Sequence, residues 1–215
     1  MTNTYMMEVF AWLLFFVFTI SVMVALLLPY LKRQALKEEQ EAVDSNAKQI
    51  TDYFGELLFS ERFLWTVWQG QAEFAEMRIF VRDELDNQIT TIHCPTLLKQ
   101  GNIRRWFDLD GEQYQQVKDS MTSVKMRYRR LGSSTTLYMS EWKFGKLYIY
   151  KGDGDILLLT VKSGTVFSKY SSVEQSGHQI ARIINSNKVA GYSKVLTSKS
   201  GSLTKLEQLI ILTAF

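Results

Sequence analysis

Few side chains in this sequence of 215 residues are suited to covalent or metal chemistry, and their spacing limits them further. There are two histidines, His93 and His178, and one cysteine, Cys94. His93 and Cys94 are neighbours at the end of Ile89-Thr-Thr-Ile-His93, which reads as a short strand ended by Pro95. Adjacent strand residues point to opposite faces, so this pair cannot serve as nucleophile and base to each other. His178 falls on an expected helix. A zinc site needs about four ligands at suitable spacing, and Cys plus His total three here. Asp108-Leu-Asp-Gly-Glu112 suggests a calcium loop, but an EF-hand counted from Asp108 wants glycine where Gln113 stands and glutamate where Asp119 stands. Asp153-Gly-Asp155 reads as a hairpin turn. Phe144-Gly-Lys-Leu lacks the upstream glycine and following hydroxyl residue of a phosphate loop. These residues argue for no catalytic group, no metal and no cofactor.

One surface feature stands out. Between Lys99 and Arg130 lie eight cations and four acids, and Trp106 follows Arg104 and Arg105 directly. Over Val124–Arg130 the alternation sets Lys125, Arg127 and Arg129 on one face and Val124, Met126 and Tyr128 on the core side. A basic strand face beside an aromatic can hold an anionic surface. The expected partners are lipid or acidic protein rather than nucleic acid. The chain beyond residue 31 carries 25 cations against 21 acids, a net of only +4.

The elements that position this face begin with an uncharged apolar run, Val9 to Leu31. About 20 such residues suffice to cross a bilayer as a helix. Trp12 and Tyr30 stand near its ends, where amphipathic rings favour the headgroup zone. Pro29 lies near the boundary, where a kink costs least. No cation precedes the run, its core is longer than that of a cleaved signal peptide, and Lys32, Arg33 and Lys37 follow it. The expectation is a retained single-pass signal-anchor, with the remainder of the chain cytoplasmic. A single cysteine, which allows no intrachain disulfide, fits a reducing compartment.

From Lys32 to about Phe59 a polar helix is expected. Leu36, Val43, Ile50, Phe54 and Leu57, with Gln40 and Ala47, follow an alternating four–three spacing. Two uses remain open: an amphipathic helix packing on its own domain, or a coiled-coil stalk forming a homodimer. Aromatics including Trp65 and Trp68 then mark core, either as two helices around Gly70 or with a strand at Met77–Arg82. From Ser123 onward short alternating runs imply an antiparallel meander: Val124–Arg130, Thr135–Trp142, Leu147–Tyr150 and Ile156–Val161, the last buried on both faces. Ser171-Ser-Val-Glu174 and Thr204-Lys-Leu-Glu207 have capping-box spacing, each opening a helix.

The order long helix, connector, meander resembles pilin-like proteins, with Glu8 and the apolar run ending at Ala25–Tyr30 in the matching places. Gly145–Ile184, as strand, turn, strand and capped helix, is similar to the second half of roadblock-type dimerisation domains. The sequence as a whole predicts an α+β protein in three parts. These are an anchor over residues 1–31, a membrane-proximal helix over 32–59, and one α+β domain over 60–215. The expected role is a non-enzymatic interaction or assembly component of a membrane complex. The alternatives are a pilin-like extracytoplasmic subunit and a tethered enzyme with a dispersed site.

Overall fold

Alternating residues bounded by tight turns decide this architecture, through more of the chain than the sequence pattern suggests. In a computed structural model the described residues are 11–23, 25–27, 29–30, 33, 46–70, 76–95, 102–120, 122–163, 170–186 and 193–214. The chain divides into two units, Met1–Glu38 and Glu39–Phe215.

In the first unit the described helical run is residues 11–23, whose side chains are exposed, Trp12 and Phe18 among them. Thr19 and Ser21 return their hydroxyls to the carbonyls of Phe15 and Val17. A single-pass span needs one unbroken apolar helix of about 18 residues or more. No helix among the described residues is long and apolar enough to cross a membrane. The expected single-pass anchor, and the localisation drawn from it, are therefore not supported. Val9 and Leu31 lie outside the described residues, whereas Pro29 and Tyr30 are helical and exposed.

Among the described residues the second unit holds twelve strands: β1 (Phe63–Gly70), β2 (Glu76–Arg82), β3 (Gln88–Pro95), β4 (Ile103–Leu109), β5 (Glu112–Lys118), β6 (Lys125–Arg130), β7 (Tyr138–Lys143), β8 (Lys146–Lys151), β9 (Ile156–Lys162), β10 (Ser171–Gln175), β11 (His178–Ser186) and β12 (Ser193–Ser198). Each pairs antiparallel with its sequence neighbours, and β1 pairs with β12, so the sheet closes into a barrel. This replaces the expected α+β fold. The stretch expected as a helix from Ser171 is the β10–β11 hairpin. Ser176 and Gly177 both take positive φ there, as a two-residue type I′ turn requires. Val173 and Ala181, expected on one face of that helix, are instead cross-strand partners, and with Ile183 both are buried in the barrel core. The likenesses to pilin-like and roadblock-type proteins fall with those expected helices.

Among the described residues this unit also has two α-helices, α1 (Ala47–Phe54), followed by a short 3-10 turn, and α2 (Lys205–Ala214). Thr204 and Glu207 close the capping box, with the Thr204 amide donating to Glu207 at 2.8 Å and the Glu207 amide to Thr204 at 3.2 Å. From Leu209 to Thr213 every residue of α2 is buried. A helix buried on all sides must lie within a core rather than on one. It occupies the barrel lumen, packed among Phe107, Tyr128, Leu147, Leu159, Ile183 and Leu196. Inside, the Gln116 amide donates to the Tyr128 hydroxyl at 2.9 Å, so its polar head is satisfied.

α1 lies on the barrel's outside. Ala47 and Ile50 are buried with Phe63, Trp65, Val67, Ile184 and Val195. Asn46 caps it, and the Ala47 amide donates to Asp86 at 3.0 Å. Of the heptad positions, Leu36 and Val43 lie outside the described residues. Ile50 is fully buried, and Phe54 and Leu57 pack on the same cluster. The described seam therefore packs on its own barrel, not as a coiled coil.

Candidate interaction surface

The barrel wall sorts the basic residues by strand phase. On β4, Arg105 is in phase with Phe107 and Leu109, which face inward. Its guanidinium donates to the carbonyl of Thr213 near the end of α2. A cation there meets the negative end of the helix dipole and its unpaired carbonyls. Arg105 is thus lumenal, correcting the expectation that it contacts an anionic surface.

Trp106 is in the opposite, outward phase, and the β4–β5 register shifts between Ile103 and Arg105, which puts Arg104 at a bulge. Cross-strand register lines up Arg78, His93, Trp106, Gln115 and Arg129 across β2 to β6. At neighbouring-strand spacings of ~4.8 Å this row runs about 19 Å around the wall. At its centre the His93 and Trp106 rings stack, 3.6 Å apart and 1° from parallel. Both are half-buried. Arg104 and Arg129 form no ion pair with a carboxylate among the described residues, and Arg129 is half-buried.

Of the remaining basic-face residues, Arg127 is engaged by Asp119 at 2.9 Å and Asp153 at 3.5 Å. Lys125 stands opposite Glu141 in the register of β6 and β7. The inward residues of β6 are only partly as expected. Tyr128 is buried and Met126 packs on the core, but Val124, ahead of the strand, is exposed. Likewise β9 is not buried on both faces, since Ile156 and Leu157 are exposed while Leu159 and Val161 are buried.

The residues considered for chemistry are dispersed. His93 faces outward on Trp106, whereas Cys94 packs against the core and His178 is exposed at the start of β11. Asp110 and Gly111 form the β4–β5 turn, both with positive φ. Glu112 accepts from the Tyr114 hydroxyl at 2.7 Å and pairs with Arg130 at 3.0 Å. No group of three His, Cys, Asp or Glu side chains is placed to hold a metal among the described residues.

A cavity of about 370 Å³ opens where β1 begins and β12 leads to α2. Its floor includes Phe63, Leu64, Leu196 and Leu209, and Arg62, Asp83, Glu84 and Lys199 are among its polar lining. Burial would raise the Asp83 pKa, but hydrogen bonds from Asn87 and the Leu85 amide outweigh it, so the net shift is downward. Asp83 is a turn cap rather than a proton donor: it accepts from the amides of Leu85 and Asn87 at 3.0 and 2.8 Å.

Sequence reasoning missed the His93–Trp106 stack, because its residues come from different strands. The available signal was the alternation of Trp106 with Phe107 and Leu109 on β4.

No family model matches this sequence, and no curated protein matches it. A solved X-ray structure of a protein from Arabidopsis thaliana is similar over 72% of this chain and 90% of that one. It has 10% sequence identity and a TM-score of 0.33.

Proposed function

We propose that this protein is a non-enzymatic interaction or assembly component, whose barrel wall over β2 to β6 receives an acidic partner surface. The observation that carries this reading is the outward row with the stacked His93–Trp106 pair between Arg78 and Arg129. The lumen supports it, since α2 fills the space that a barrel of this size could otherwise give to a small ligand. Arginine on a rigid sheet loses little freedom on pairing with carboxylates, and a half-buried aromatic beside it adds contact area.

The test uses poly-L-glutamate as the acidic probe. The intact chain should bind it at low ionic strength and release it at high salt, as a surface charge interaction must. Arg78→Glu with Arg129→Glu should weaken binding at least about tenfold, ~1.4 kcal/mol, with an unchanged melting temperature. Undiminished binding by this variant would remove the barrel wall from the interaction.

A further inference from the structure

The β7–β8 hairpin carries an outlier that neither its fold nor the basic wall explains. Three two-residue turns in this barrel share positive φ at both central positions: Asp110-Gly111, Ser176-Gly177 and Phe144-Gly145. Asp and Ser are small polar residues suited to such turns, whereas phenylalanine in the left-handed region is strained. Phe144 adopts φ 50° and is 99% exposed, so no packing within the chain offsets that strain. Strain held without a structural return marks a functional position.

The residues around it show what it meets. Lys143 and Lys146 flank the turn as a cross-strand pair, and Lys146 is paired in turn with Lys162 on β9. Strand phase puts all three on the outer face. Like charges directly opposite one another destabilise a sheet. Lys143 and Lys162 are partly compensated by Glu141 at 2.7 Å and Glu174 at 2.6 Å. With Lys125 opposite Glu141, four cations stand against two carboxylates. Trp142, opposite core Leu147, is in the inward phase at the barrel rim, where its indole donates to the Ala214 carbonyl at 3.4 Å, so the tip's apolar contact rests on Phe144 alone. An apolar ring projecting beyond a belt of lysines is complementary to the boundary between lipid headgroups and acyl chains.

We propose that the β7–β8 hairpin is a docking tip for an anionic bilayer surface, with Phe144 entering the headgroup zone and Lys143, Lys146 and Lys162 facing lipid phosphates. This reading is independent of the acidic partner proposed for the barrel wall. Phosphate-bearing lipid is favoured over an acidic protein because Phe144 projects as an isolated tip. A protein anchor of this kind would require a matching pocket on the partner.

The test compares the intact chain with Phe144→Asn and with Lys143→Glu/Lys146→Glu. The probes are vesicles of phosphatidylcholine alone and of phosphatidylcholine with phosphatidylserine. Whatever the apolar N-terminal stretch contributes is common to all three proteins. The wild type should bind the anionic vesicles more tightly, and hydrogen exchange at the amides of residues 143–146 should slow on binding. Phe144→Asn, which suits the turn better, should keep or raise the melting temperature and weaken vesicle binding at least about tenfold. The double charge reversal should erase the difference between the two vesicle types. Equal binding by wild type and Phe144→Asn would overturn the proposal, as would equal binding of the wild type to both vesicle types. Slowed exchange at the tip with poly-L-glutamate but not with vesicles would overturn the lipid assignment in favour of a protein partner.

Discussion

At position 194 the chain places an ammonium group where its own barrel removes much of the surrounding water. Burial, followed by the charge of Arg105, lowers the Lys194 pKa to about 8, while Cys94 opposes the shift weakly. The ordinary lysine value is 10.5. Between those two values the unfolded chain keeps a proton that the folded chain has released, so stability rises with pH across this window. Below about pH 8 the folded protein carries the full cost of the buried charge. Lys194→Met should therefore raise neutral-pH stability by up to about 3 kcal/mol and flatten the dependence between pH 8 and 10.5. Denaturant unfolding of both proteins at pH 7, 9 and 10.5 checks this. A parallel pH dependence in the two would assign it to other groups. Arg182 shows the opposite solution for a cation. It donates to the Leu57 carbonyl at 3.0 Å and lies over the rings of Phe59 and Tyr170, at 4.5 and 4.7 Å. Contact with the two aromatic faces offsets part of the hydration that the guanidinium gives up there.

At the scale of elements, α1 shows how one pattern serves two structures. A four–three spacing describes a heptad seam and also a helix lying along a sheet, because both require a single apolar stripe. Ile50 settles the matter: it is fully buried against Phe63, Trp65 and Val195 within one chain. Ile50→Ala should cost about 2–4 kcal/mol in unfolding free energy, independent of protein concentration. A cost that changes with concentration would show that Ile50 is shared between chains. The β10–β11 hairpin teaches a related lesson. Ser171-Ser-Val-Glu174 satisfies the spacing of a capping box, but Ser171 is buried as a strand residue and Glu174 pairs with Lys162. A capping box marks a helix only where the following residues lack a competing turn. Ser176-Gly177 provides that turn a few residues later.

Across the whole molecule, the barrel and α2 each complete the other. Twelve strands enclose a lumen too wide for wall side chains alone to fill, and a helix apolar on all sides has no stable place at a surface. Leu209, Ile210, Ile211 and Leu212 occupy that space, each nearly or wholly inaccessible to solvent. The Tyr138 hydroxyl donates to Glu207, and the Trp142 indole donates to the Ala214 carbonyl at 3.4 Å, tying both ends of the helix to β7. Leu209→Ala should cost about 3–5 kcal/mol, the upper range for a core leucine, because a closed wall cannot collapse onto the vacancy. Thermal or denaturant melting measures it. A loss below ~1 kcal/mol would mean that the lumen is packed loosely enough to relax.

The residue order alone determined the meander from β6 to β9, its tight turns, the capped C-terminal helix and the outward phase of Lys125, Arg127 and Arg129. Each depends on contacts within a few residues, or on a two-residue period that survives in any antiparallel pairing. Barrel closure was decided only in three dimensions, because β1 and β12 are joined by hydrogen bonds between segments more than a hundred residues apart. So was the fate of the two arginines on β4. A bulge in the β4–β5 register falls at Arg104, strand phase turns Arg105 inward with Phe107, and only the arrival of α2 makes that inward side habitable for a guanidinium, by presenting the Thr213 carbonyl. The His93–Trp106 stack likewise waits on the register of β3 against β4, since a one-residue slip would turn either ring to the other face.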